Sequence, residues 1–556
     1  MNFTELKEVD ILTLNPEKKR SAQLVSSFDY LQPLRGALLL AVPLLCVFAA
    51  CLPSWRVARA CTALALSFAA ASLVLLVLAG PLVLHGTSLL PFGNAGALAF
   101  SVRADAVGCA VLLLVSFIGW VITRYSQAYM GGDAGQARYT RWLMATLAAV
   151  AVVVITNNLA VLALAWLATS MALHQLLTFF SDRPAAVIAA HKKFLASRLG
   201  DVCLFTGVAL IGWSLGSLEI DQLLAKAQSL AVFPAALQVA VFLIVVSALL
   251  KCAQLPVHGW LIQVMEAPTP VSALLHAGIV NLGGFLLIRL SPLVSEVAGA
   301  QTLLVVVGSV TAAVAALVMM TRISVKVMLA WSTCAQMGFM LMQCGLGAYD
   351  LALLHLLAHS LYKAHAFLGA GGAVEQARLK AMSPPPAEVG LGMAAVGAFS
   401  GLVMTAAAGV IWGAQMAQFP ALWALAAIVS LALTPLLTAQ ALRIGGWWPL
   451  TLMLGAFGVA LAYFGLHHVA SLWVDVPKAS LSAHAFDIAW VLLCFALLFA
   501  LQSLIRARPH GRVAAGLYPW FYAGLYLDEW FTRITFRLWP ARLSSPTANT
   551  APGAYK

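Results

Sequence analysis

Long apolar runs separated by short polar links cut this chain into about fifteen segments. Each is close to the roughly 20 residues a helix needs to cross a 30 Å hydrocarbon core. The pattern predicts helices at 34–52, 59–80, 104–124, 141–157, 159–180, 194–216, 234–265, 270–291, 300–320, 326–346, 350–373, 388–412, 420–441, 447–470 and 485–506. One is anomalous. Residues 234–265 would make a helix of about 48 Å, too long for one crossing and too short for two. Pro256 lies inside it and, lacking an N–H, breaks a helix rather than continuing it. The expectation is a discontinuous helix with Lys251 just before the break, near mid-membrane. A lysine there is functional by default unless it snorkels to the headgroups.

Composition agrees with an all-α polytopic membrane protein: 62% of the 556 residues are hydrophobic and only 9% charged, against about 25% charged in soluble domains. The net charge of +12 is sorted by loop. Taking alternate loops, Arg56, Arg59, Arg124, Arg138, Arg141, Arg183, Lys192, Lys193, Arg322, Arg378, Lys380, Arg443, Arg506, Arg508 and Arg512 share one side, against Arg103, Lys226, Arg289 and Lys478 on the other. That asymmetry predicts a cytoplasmic C-terminus and, with an odd helix count, an outside N-terminus; nucleic acid is not its cause. Met1–Leu34 is polar, nearly neutral and without a signal-peptide core. Nine scattered cysteines form no C-x-x-C pair and read as apolar packers.

The polar residues within the apolar spans carry the candidate chemistry. His174 lies in 159–180, where a structural hydrogen bond is the plainer role. Arg198 and Asp201 are three apart on one helix face. Either they form a static salt bridge, or Asp201 serves as counter-ion to Lys251. Glu266, Pro268 and Pro270 follow the break, and His276 sits on the next apolar helix. Lys326 opens 326–346. In 350–373, His355, His359 and Lys363 recur every four residues and stack on one face about 6 Å apart. That spacing suits a proton relay; structural hydrogen bonding and metal binding by the H-x-x-x-H pair remain alternatives. The last four spans hold no comparable cation, and His467 and His468 fall at a helix end, where solvation is expected. Leu517–Pro540 is aromatic, amphipathic and too interrupted to span, so it predicts an interfacial helix or a docking surface.

The segments KKFLASRLGDV, KCAQLPVHGWL, APTPVSALLHA, KVMLAWSTCAQMG and HLLAHSLYKAHAFL, within 142–372, resemble the proton-translocating, antiporter-like subunits of complex I and of multisubunit Na⁺/H⁺ antiporters. The resemblance implies two inverted five-helix repeats with broken helices. It gives Lys251 the place of the channel lysine, and His276, Lys326, His355, His359 and Lys363 places on a central axis. There are departures. Leu167 follows Trp166 where complex I members carry glutamate, the lysine of the twelfth helix is missing, and so is the long lateral arm. Leu167, MEAPTPVSALLHAGIVN and YLDEW together resemble DabB-type membrane subunits of two-component inorganic-carbon pumps.

That resemblance implies a multi-pass subunit of the bacterial inner membrane, conducting H⁺ or Na⁺. Its large cytoplasmic partner would hold a zinc carbonic-anhydrase-like site that accumulates bicarbonate, so no cofactor is expected in this chain. The alternatives are an antiporter or redox-complex subunit and a membrane scaffold with no conduction. The expected ion path is Lys251, Asp201, Arg198, His276, Lys326, His355, His359, Lys363 and Glu266. The expected layout is a polar segment 1–33, scaffold helices 34–140, repeats 141–291 and 292–441, membrane helices 442–506 and an amphipathic tail 507–556.

Overall fold

A helix is stabilised where its apolar run begins at a residue able to satisfy the first free N–H groups. Asp105, for example, accepts from the amide of Gly108 at 2.8 Å and opens the helix Ala106–Tyr129. The computed structural model of the chain describes residues 32–52, 54–83, 88–92, 100–382, 389–413, 420–438, 448–472, 474 and 484–539. The polar N-terminal segment, up to residue 31, and the end of the tail beyond 539 lie outside them. Among the described residues, eleven helices are long and apolar enough to cross a membrane. These described residues are all-α apart from one small hairpin.

One compact unit runs up to Thr169 and resumes over Val208–Ala236. It contains α1 (Gln32–Cys51), α2 (Ser54–Val83), the hairpin of β1 (Ser88–Phe92) and β2 (Phe100–Ala104), α3 (Ala106–Tyr129) and α4 (Gln136–Ile155). In the hairpin Ser88 pairs with Ala104 and Phe92 with Phe100. The hydropathy pattern does not predict these strands. It also misses α7 (Ile220–Gln228), a short helix fixed by Asn157, which donates to Asp221 at 2.6 Å.

Two further helices, α5 (Leu159–Leu177) and α6 (Pro184–Leu215), contribute residues to both units. The second unit is built mainly from Ser170–Gly207, Leu237–Ser471 and the C-terminal helices. In order it holds α8 (Ala235–Lys251), the short α9 (Gly259–Gln263), α10 (Thr269–Ala277), α11 (Leu282–Arg289), α12 (Ala298–Met319), α13 (Val325–Gly345) and α14 (Tyr349–Leu368). Then come α15 (Leu391–Ile411), α16 (Pro420–Leu437), α17 (Trp448–Ser471), α18 (Ala485–Ala507), α19 (Arg512–Tyr522) and α20 (Leu527–Leu538). Val305, Met342, Leu425, Phe464 and Phe495 belong to its apolar core.

Between apolar surfaces in a bilayer, close packing replaces the hydrophobic drive, so small residues set the tightest contacts. Gly308 of α12 and Gly338 of α13 meet in this way: a Cβ on either would fall 2.5–2.6 Å from the other's carbonyl oxygen. Gly338→Leu is therefore expected to push the two helices apart, at a cost of roughly 1–3 kcal/mol. The check is the thermal midpoint of the detergent-purified protein, against Gly299→Leu, whose Cβ would meet open space.

Candidate functional site

The predicted break is where Pro256 requires it. α8 ends at Lys251, and Ala253, although not glycine, takes a left-handed backbone (φ 52°). Residues held in that region cost of order 1–3 kcal/mol and persist only where the surroundings fix them. Non-helical backbone at membrane depth also needs hydrogen-bond partners from the protein. Here Leu255 N–H donates to Thr311 Oγ1 at 3.2 Å, Val257 N–H to the Gln254 carbonyl at 2.9 Å, and Gln254 Nε2 to the Cys252 carbonyl at 2.9 Å. Both ends of the opened segment are thereby held.

Lys251 is buried, and its Nζ is ion-paired with Oδ1 of Asp201 on α6. Its stem crosses Gly200, where a Cβ would come within 3.2 Å of Lys251 Cγ. Glycine at that position clears the route from α8 to the carboxylate. The other oxygen of Asp201 faces Arg198 Nη2 at 2.7 Å. Both contacts weighed for Asp201 are present, one carboxylate being shared by two cations.

Sequence reasoning left out two further members. Ser170 Oγ accepts from Arg198 Nη2 at 3.1 Å and from Lys193 Nζ at 2.7 Å, and the Ser170 carbonyl accepts from Lys193 at 2.9 Å. Lys193 is buried. One carboxylate thus serves a group holding three cations: Lys193, Arg198 and Lys251. Lys193, just before the expected start of its span at 194, read as surface charge; only its packing against α5 reveals it.

The second predicted cluster also assembles. His355 Nδ1 lies 2.9 Å from Gln343 Oε1, and its ring is 6.0 Å from that of His359. His359 is within electrostatic range of His355, Lys363 and His276. Lys363 donates to the Leu329 carbonyl at 3.2 Å. His276 is fully buried and stacks on Phe367 at 4.4 Å and 19°. Neither ring nitrogen of His276 or of His359 meets a hydrogen-bond partner among the described residues. Buried imidazoles are ordinarily satisfied, so these four nitrogens are suited to exchanging a mobile partner. Lys326 bonds Thr269 Oγ1 at 2.8 Å.

Two placements differ from expectation. Glu266 is exposed in the turn after α9 and joins neither cluster. His467, expected to be solvated, has its Nδ1 against Oδ2 of Asp350, a buried carboxylate in the first turn of α14. Helices far apart in sequence make that contact, and hydropathy carries no trace of it. His174 takes the structural role foreseen for it: its ring lies 5.4 Å from that of Phe194, and it has a backbone hydrogen bond with Ala190 of α6.

A family model for the transmembrane region of NADH:quinone oxidoreductase and Mrp antiporter subunits matches residues 156–383. A second, for the N-terminus of complex I chain 5, matches residues 92–140. The chain is 42% identical over 452 residues to a probable inorganic carbon transporter subunit DabB of Hydrogenovibrio crunogenus, covering 80% of this chain and 84% of that one. It is 39% identical to the corresponding DabB2 of Halothiobacillus neapolitanus, over 91% of this chain and 95% of that one. Among solved structures, a chain of the Mrp complex from a Dietzia species superposes with a TM-score of 0.55 at 24% identity. That match covers 93% of this chain and 57% of the other. A chain of the archaeal membrane-bound sulfane sulfur reductase gives 0.56 at 19% identity, covering 90% and 99%. These two likenesses establish the fold.

Proposed function

We propose, for a chain that belongs to the family of DabB inorganic carbon transporter subunits, that the Lys251–Asp201–Arg198 group is the switch of a cation path. Flow along that path powers inorganic-carbon accumulation by a partner subunit. The observation that carries this is the carboxylate shared between Lys251 and Arg198 beside a helix break. When Asp201 closes on Lys251, the ammonium is neutralised and holds its proton. When Asp201 moves toward Arg198, Lys251 is left in a low-dielectric site, where the charged form is disfavoured, and it passes the proton on. H⁺ is favoured over Na⁺ because the groups along the route are lysine and imidazole nitrogens. His276, His359, His355 and Lys363 extend the route, and Lys326 stands at its margin.

Formation of bicarbonate would fall to a large cytoplasmic partner, whose carbonic-anhydrase-like zinc would supply the hydration chemistry. The positive-inside pattern puts the C-terminal tail on that partner's side. The test is a pulse of labelled inorganic carbon given to a carbonic-anhydrase-deficient host expressing both subunits. Accumulation should collapse with a protonophore and survive a sodium ionophore. Accumulation indifferent to both would make the chain a scaffold.

The imidazole route makes a separate prediction. His359→Ala is expected to slow accumulation on the order of a hundredfold, the usual scale of a lost proton-transfer group. Ala358→Val, on the exposed face of the same helix, should leave it near wild type. A slow Ala358→Val paired with a normal His359→Ala would mean that packing governs this helix.

A further inference from the structure

Lys192 takes no part in the path described so far, yet its side chain is fully buried. A buried ammonium needs a partner, and this one comes from the far end of the chain. Lys192 Nζ donates to Asp528 Oδ1 at 2.8 Å and to Oδ2 at 2.9 Å. Asp528 lies in the first turn of α20. The same carboxylate accepts from Gln263 Nε2 at 2.8 Å, so it ties α6 to α9, the short helix that resumes after the break. It also rests on the backbone of α9: a Cβ added to Gly259 would sit 1.5 Å from Asp528 Oδ1. Only glycine leaves that seat open.

The tail is shaped to deliver this carboxylate. Leu525 and Tyr526, neither of them glycine, both adopt left-handed backbone (φ 56° and 57°) between α19 and α20. That conformation costs roughly 1–2 kcal/mol per residue, so the docked contacts must hold it. Arg322 Nη2 donates to the Phe521 carbonyl at 3.1 Å before the bend, and Trp539 stacks on His191 at 4.0 Å and 13° after it.

We propose that Asp528 is a positioning residue of the ion path, through which the C-terminal tail clamps the half-helix after the break and so sets the geometry of Lys251. The inference rests on the ion-path reading above. The opened segment has Lys251 at one end and Gly259, under Asp528, at the other. Freeing Gly259 lets the segment relax and moves Lys251 relative to Asp201. A partner that shifts α20 thereby acts on the switch, and the switch on α20.

The experiment uses the full chain with its co-purified partner in vesicles, with proton flux read by an internal pH dye under an imposed potential. Asp528→Asn, nearly isosteric but neutral, is expected to cut flux about tenfold, the scale at which residues outside a site modulate coupling. Gly259→Ala should do the same by expelling the carboxylate. Combining Gly259→Ala with Asp528→Ala should be no slower than Asp528→Ala alone, since both act through one contact. Glu529→Gln, at an exposed neighbour, should leave flux unchanged. Trypsin cleavage at exposed Arg533 and Arg537 reports whether the tail stays docked, and Lys251→Ala serves as the reference. Wild-type flux in Asp528→Asn alongside a dead Lys251→Ala would overturn the clamp alone. So would a loss of flux that appears only with new trypsin cleavage of the tail, or losses that multiply in the double variant. Wild-type flux in Lys251→Ala would overturn the ion path itself.

Discussion

Asp201→Asn is expected both to abolish gradient-driven transport and to weaken the fold. The carboxylate answers two cations directly, Lys251 and Arg198, while Lys193 reaches the group through Ser170. Asparagine keeps the shape and removes the only negative charge on that group among the described residues. Breaking a buried pair from one side leaves the other charge uncompensated and costs about 3–5 kcal/mol, partly relieved when a lysine gives up its proton. Such a lysine holds no charge to switch, so transport stops for the same reason that stability falls. Combining Asp201→Asn with Lys251→Met should recover much of the lost stability and none of the transport. Thermal midpoints and labelled-carbon accumulation of the wild type and the two variants separate the two effects. Normal transport by Asp201→Asn would show that the carboxylate is only structural.

Lys251→Ala is expected to be equally inactive but well folded. It removes a cation from a group that has cations in excess, and it leaves Asp201 paired with Arg198. The cavity left by the stem lies over Gly200, next to the already open segment, where water can enter. In a carbonic-anhydrase-deficient host at ambient CO₂, the alanine variant should fail to support growth while its membrane level and co-purification match wild type. Arginine at the same position should fail too. A guanidinium does not release its proton in proteins, and it fits Asp201 as a fixed fork rather than a switchable point charge. Rescue by Lys251→Ala at normal expression would contradict a switching role.

Local signals made part of this legible in advance. Helices in a bilayer announce themselves by length and apolarity, and proline by its missing donor, so the break after Lys251 could be placed from the chain alone. The stack of His355, His359 and Lys363 followed from a four-residue spacing. Lys251 and Asp201, fifty positions apart, could be matched because a mid-membrane lysine requires a counter-ion and few carboxylates were on offer. Contacts with no such constraint were hidden. Asp350 meets His467 across more than a hundred residues, and each looks unremarkable at its own helix end. Asp528 stood inside a recognised motif, but its partners Lys192 and Gln263 lie 336 and 265 positions away. The hairpin Ser88–Phe92/Phe100–Ala104 and the helix Ile220–Gln228 are too short for a window tuned to membrane spans. Ser170 and Lys193 were visible as residues; their junction depends on how α5 packs on α6.

The most direct measurement is proton flux in vesicles containing the purified protein and its partner, wild type beside Lys251→Ala, with a pH dye inside and a potassium-diffusion potential imposed. The account predicts potential-dependent pH change in the wild type and none above empty vesicles in the variant. Equal flux in the two, or none in a wild-type preparation that still accumulates carbon, would contradict it.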